Sequence, residues 1–151
     1  MPNTTTAKTP NHGPRRKGST VRWVIFHADA SPSESATLSW IANPASKVSY
    51  HWLIRRDGRC ERLVPDDRAA WAVGVSEWEG VTGLNSWSVS IAFANRNDGK
   101  EPLTPEQLAA GKALRLQYPT LVSLTHAQVA MPRGRKTDPD KAPNFRLSDF
   151  Q

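Results

Sequence analysis

Cysteine is almost missing from this sequence. Cys60 stands alone, so no internal disulfide framework can form, and synthesis in a reducing compartment is expected. The same scarcity excludes a thiolate-rich metal site and leaves the four histidines and the carboxylates as available ligands. Long apolar runs are missing too. None reaches the length of a signal-peptide core or a membrane-crossing helix, and neither feature is expected. There is no internal repeat. Nor is there a Gly-rich phosphate-binding spacing, a helix-turn-helix signature or an aromatic RNA-binding motif, so nucleic-acid recognition would rest on charge alone.

What the chain has instead is basic charge and tryptophan. Its 151 residues are one domain's worth, enough to bury most of their apolar surface in a single core. A net charge of +6 favours acidic partners such as nucleic acid, an anionic membrane surface or acidic envelope polymers. Part of that charge lies in MPNTTTAKTPNHGPRRKGST, which is polar, rich in Pro and Gly, and without apolar periodicity. Residues 1–20 are therefore read as a flexible basic arm and residues 21–151 as the folded domain. Six tryptophans are many for this length, and those outside the core suit carbohydrate or peptide ligands.

The pattern along the chain predicts a mixed α/β domain. VRWVIFHA (21–28) reads as a buried strand, followed by a short helix capped by Ser33 with Trp40 and Ile41 on its inner face. Residues 48–65 read as two strands around Arg56-Asp57-Gly58-Arg59, where Asp-Gly is a hairpin signal. RAAWAVGV (68–75) is a further short strand, residues 76–86 a long surface loop, and SVSIAFAN (88–95) a central strand. The clearest helix follows Thr104 at its N-cap and Pro105 at its first position, with Leu108, Ala109, Leu114 and Leu116 as its apolar positions. TLVSLTHA (120–127) is another strand, and NFRLSDF a last helical turn. The expected fold is a single domain with a central mixed β-sheet flanked by helices.

His27 and His126 both fall near the C-terminal ends of predicted strands, where α/β sheets place ligand sites. A zinc hydrolase needs about three protein ligands and an open position. His27, His126 and one acid of the 125–140 loop, Asp138 or Asp140, meet that count. Each histidine alone has a plainer reading as a satisfied strand residue, and His12 is discounted as part of the arm. Tyr50 and His51 are strand neighbours, so they face opposite sides, and periodicity leaves open which one faces a site. The cations Arg133, Arg135, Lys136 and Lys141 read equally well as a solvated loop.

Taken in order, VIFHADAS, VSYHWLIRRDGRCERLVPDDRAAWAVGVS, SVSIAFAN and THAQVAMPRGRKTDP resemble the zinc-dependent N-acetylmuramoyl-L-alanine amidases of the type 2 amidase family. These share a fold with phage lysozyme-type amidases and peptidoglycan recognition proteins. The resemblance runs from about Val21 to Phe150 and implies one zinc on His27, His126 and Asp138. It also implies that Tyr50 faces the metal, that His51 is structural, and that Lys136 is the lysine two positions before the last ligand. Two positions depart from the family. The recycling branch usually carries a glutamate where this chain has Ala92, and a histidine where it has Ala72.

The activity so implied is hydrolysis of the amide between the lactyl group of N-acetylmuramic acid and L-alanine of the stem peptide. Lys136 would stabilise the tetrahedral oxyanion, and Tyr50 would orient water or pass a proton to the leaving amine. Ala92 leaves the general base unassigned. Trp71, Asn85 in the loop from Trp78, and Arg135 are candidate contacts to peptidoglycan or muropeptides. The expected role is a monomeric phage or prophage endolysin, made in the host cytoplasm and reaching the wall after membrane permeabilisation. A cytosolic amidase of soluble anhydro-muropeptides and a non-catalytic peptidoglycan-binding module are the alternatives.

Overall fold

The computed structural model describes residues 2–151. The first half of the chain supplies β1 (Thr4–Thr6), β2 (His12–Pro14), β3 (Trp23–Ala28), α1 (Glu34–Ala42), β4 (Trp52–Ile54), β5 (Cys60–Arg62) and β6 (Arg68–Ala70). The second half supplies β7 (Glu77–Trp78), β8 (Val81–Thr82), β9 (Ser88–Phe93), α2 (Pro105–Arg115), β10 (Val122–Thr125) and α3 (His126–Val129). Six strands form one mixed sheet in the order β1-β5-β4-β9-β3-β10, as expected. The run β4-β9-β3-β10 is parallel, whereas β5 returns antiparallel to β4 through the Asp57-Gly58 turn. Gly58 sits there at φ +86°, a conformation that a side chain would strain. Among the described residues, no helix is long and apolar enough to cross a membrane.

Strand alternation divides the sheet into two faces. Val24, Phe26, Val89, Ile91 and Phe93 pack on one face against α2 and Phe150. Gly111 of α2 makes that packing possible, since a Cβ there would lie 2.8 Å from the Phe150 ring and 3.0 Å from that of Phe93. The buried side of α2 is therefore Gln107, Ala110, Gly111 and Leu114, whereas Leu116, read as apolar and inward, is 77% exposed. Gln107 belongs inside because its amide donates to the carbonyls of Ile54 and Ala94. Thr104 and Gln107 close a capping box, as the N-terminal signals predicted. On the other face lie Trp23, Ile25 and His27 of β3 with Ser88, Ser90 and Ala92 of β9, all buried.

Three expectations need correction. Residues 2–20 are not a free arm, and Met1 lies outside the described residues: β1 pairs in parallel with β5, and β2 antiparallel with β6. Polar contacts invisible to apolar periodicity tie the segment down. The Asn11 amide nitrogen lies 3.0 to 3.1 Å from Ile41 O, Asn43 O, Ser46 Oγ and Val48 O, and Arg15 donates to the carbonyls of Asp66, Asn85 and Ser88. The loop at 76–86 contains the β7–β8 hairpin and a 3-10 turn that buries Leu84. Trp40 is 55% exposed, because on α1 it lies about 100° from the buried Ile41.

Asn11→Ala strands several buried carbonyls and should cost about 1–3 kcal/mol. Denaturant unfolding of the variant should show a lower midpoint with an unchanged slope, whereas wild-type stability would mean that the segment contributes nothing to the fold.

Candidate metal centre

The parallel pairing of β3 with β10 decides where the histidines meet. Phe26 is opposite Thr125, so His27 near the end of β3 and His126 directly after β10 emerge side by side. Thr125 caps α3 through a capping box with Gln128, which turns the chain sharply and fixes His126 as the first helical residue. Asp138 arrives on the following loop and is pinned at two points. Its carboxylate accepts from the Ala28 N–H at 3.2 Å, and its carbonyl accepts from Ala127 N–H at 3.0 Å. His27, His126 and Asp138 are all buried, and their ligand atoms converge. Nδ1 of His27 lies 3.2 Å from Nδ1 of His126, and Asp138 Oδ2 lies 3.2 Å from His126 Nδ1 and 3.7 Å from His27 Nδ1.

The second ring nitrogens show which form of each imidazole the fold supports. His126 Nε2 is 3.1 Å from the Val73 carbonyl, which can only accept, so Nε2 carries the proton and Nδ1 of the neutral ring is bare. His27 Nε2 is 3.0 Å from Ser90 Oγ. Burial, reinforced by His126 nearby, pushes the pKa of His27 well below the usual imidazole value and favours its neutral form. Burial opposes charge on Asp138 as well, but its contacts with His126 and His27 and the Ala28 N–H outweigh it, so its pKa is lowered. Two inward nitrogens and a carboxylate thus face one point, an arrangement that calls for a shared cation. Zinc with bonds of about 2.0 Å in tetrahedral geometry sets its ligands about 3.3 Å apart. The observed separations of 3.2, 3.2 and 3.7 Å fit that set.

His126 and Asp138 line a cleft of about 270 Å³ together with Tyr50, Lys47, Trp71, Gly74, Arg135 and Lys136. A second cleft of about 430 Å³, running past Ser31, Thr37 and Trp40, shares Asp29, Val48, Tyr50 and Lys136 with the first. Tyr50 is buried with its ring 5.2 Å from that of His27. Burial and the nearby carboxylates Asp138 and Asp29 raise the pKa of its phenol, so it stays a hydrogen-bond donor. His51 lines neither cleft: its Nδ1 accepts from Ser90 N–H and its Nε2 donates to the Arg68 carbonyl. Burial brings its pKa down to about 4, so the ring is neutral.

Other expected contacts fall elsewhere. The Asn85 side-chain oxygen accepts from the backbone N–H groups of Ala72 and Val73, so this residue shapes the cleft wall rather than facing a ligand. Arg135 reaches the cleft, but its guanidinium donates to the carbonyls of Met131, Val73 and Val75 and braces two loops. Arg133 instead binds the Gln128 carbonyl and lies over the Trp78 ring. The basic run thus diverges, and only Lys136 and Arg135 line the clefts. Asp140 lies outside both. Ala92 stands beside His27 in the β3–β9 register, and no carboxylate occupies its place. Sequence reasoning missed Ser90 and the Val73 carbonyl, and put Trp40 in the core rather than beside the second cleft. Of these only Ser90 had a signal, as a polar residue in phase with Ala92 on a strand otherwise fit for burial.

A sequence profile of the N-acetylmuramoyl-L-alanine amidases matches residues 17–141. The 1,6-anhydro-N-acetylmuramyl-L-alanine amidase AmpD of Salmonella typhimurium is 36% identical over 135 residues, covering 82% of this chain and 69% of that protein. The endolysin of Enterobacteria phage K11 is 34% identical over 108 residues, covering 66% of this chain and 61% of its own. A crystal structure of AmpD matches with a TM-score of 0.74 at 26% identity, over 99% of this chain and 93% of that one. With the profile spanning most of the chain, and a fold that matches the AmpD structure, this protein belongs to the N-acetylmuramoyl-L-alanine amidase family.

Proposed function

We propose that the chain is a zinc-dependent hydrolase of the amide between the lactyl group of N-acetylmuramic acid and L-alanine. The observation that carries this reading is the convergence of His27, His126 and Asp138, two of which line a cleft that shares Tyr50 and Lys136 with a second. A substrate with a sugar on one side of the scissile amide and a peptide on the other needs two such arms. Zinc on this ligand set supplies Lewis acidity, polarising a carbonyl and making water nucleophilic near neutral pH.

The protein's own groups do the rest. Tyr50, protonated and buried at the junction of the clefts, donates a hydrogen bond to the carbonyl region or to the departing amine. Lys136 borders both clefts and offers its ammonium to the developing oxyanion. Ala92, Leu53 and Ile41 pack with Tyr50 as an apolar floor, which keeps water from screening these charges. Asp29 also lines the clefts, but its carboxylate is engaged by Thr37 Oγ–H and by the N–H groups of Ser31 and Asn95.

Soluble 1,6-anhydro-muropeptides are the favoured substrates, because relatives named for that substrate match the chain over more than four-fifths of its length. The second reading, an endolysin acting on the intact wall, is supported by the phage K11 relative and by Ala92 in place of the recycling branch's glutamate.

Release of stem peptide from purified anhydro-muropeptide should require metal, with His126→Ala and chelator-treated protein both inactive and added zinc restoring only the latter. Full activity without metal would contradict the proposal. Running the same assay on intact sacculi separates the two substrate readings: preference for the soluble substrate supports recycling, and preference for the sacculus supports lysis.

Lys136→Ala should lower turnover about a hundred- to a thousandfold, or roughly 3–4 kcal/mol of barrier, while zinc content is retained. Loss of zinc from this variant would make the lysine a structural element of the metal site.

A further inference from the structure

Ser90 is the one polar residue on this part of β9 that neither the core nor the clefts explain. It is 1% exposed and sits opposite Ile25 in the β3 register, next on its face to Ala92. A hydroxyl in such surroundings is costly unless paired. Its one hydrogen-bond partner among the described residues is His27 Nε2, at 3.0 Å. The backbone of Ser90 is clamped on both sides by His51, whose N–H donates to the Ser90 carbonyl at 3.1 Å and whose Nδ1 accepts from Ser90 N–H at 3.0 Å. His51 is itself anchored by its Nε2–H to the Arg68 carbonyl at 2.8 Å. A rigid chain therefore runs from β6 through His51 to the Ser90 hydroxyl and on to the outer nitrogen of His27.

We propose that Ser90 is a positioning residue of the metal centre: its hydroxyl accepts the Nε2 proton of His27 and holds the ring so that a bare Nδ1 faces His126 and Asp138. This rests on the metal reading above. It makes the two histidines equivalent, since each presents Nδ1 inward and gives its Nε2 proton to an outer acceptor, Val73 O for His126 and Ser90 Oγ for His27. Outer partners of this kind orient a ligand and raise its basicity. They differ in one respect. A backbone carbonyl can only accept, whereas a serine hydroxyl accepts or donates, so His27 is the ligand whose tautomer the sequence can retune by a single substitution.

The test is zinc affinity, measured by competition with a chromophoric chelator on the whole chain. Ser90→Ala should bind zinc about tenfold or more weakly, while Ser90→Thr, which keeps the hydroxyl, should restore most of the loss. Long-range ¹H–¹⁵N spectra of the zinc-loaded wild type should show His27 protonated at Nε2, a readout that holds even where a variant folds poorly. Equal affinity of wild type and Ser90→Ala, or a His27 protonated at Nδ1, overturns the role of Ser90 and leaves the metal reading standing. A wild-type chain that takes up no zinc overturns both.

Discussion

Two imidazole nitrogens and a carboxylate are held face to face inside this protein with no counter-charge of their own. Nδ1 of His27 and Nδ1 of His126 lie 3.2 Å apart with Asp138 against both, all buried. Without a cation, lone pair would oppose lone pair at that distance, or one proton would have to be shared among three groups. The surrounding structure accounts for the tension by fixing each group from outside. Val73 holds His126, Ser90 holds His27, and Ala28 N–H with Ala127 N–H holds Asp138. Such outer restraint is what a preformed metal site requires, because ligands that could relax apart would lose affinity.

The sheet topology follows from the same requirement. A parallel β3–β10 pair delivers two ligands to one end of the sheet, and the parallel β9 beside β3 brings Ser90 behind one of them. On the opposite face of the sheet, the Phe26, Phe93 and Phe150 cluster packs under α2, with ring centroids 4.9 Å apart for Phe26 and Phe150. This packing carries stability, at about 1.5–3 kcal/mol for each fully buried large side chain. The other face has apolar clusters of its own, around Ile25 and Leu84 and around Leu53 and Ile41, and also holds the buried polar groups of the site.

Much of this was legible in the residues, and the illegible part has a common cause. Strong local signals survived: the Asp-Gly hairpin, the Thr104 cap with Pro105 and the mixed sheet stand where the sequence puts them, while the strands read at 68–75 and 120–127 stop at Ala70 and Thr125. The convergence of His27, His126 and Asp138 was anticipated through resemblance, and spacing alone left Asp140 in contention. The failures involve polar side chains whose partners are far away in sequence. Asn11 and Arg15 fasten a segment that composition marks as disordered, and Asn85 and Arg135 hold backbone groups that include ones 12 to 62 residues distant. Hydrophobic periodicity carries no record of such bonds. A small polar residue at a buried strand position, as at Ser90, is the nearest thing to a sequence signal for them.

The central claim is that one metal ion sits on two imidazoles and a carboxylate. Zinc K-edge X-ray absorption of the chain loaded with one equivalent of zinc tests this most directly. A shell of nitrogen and oxygen at about 2.0–2.1 Å with multiple scattering from two imidazoles is the predicted result. Scattering from fewer than two imidazoles, or a sulfur shell at about 2.3 Å, would contradict it.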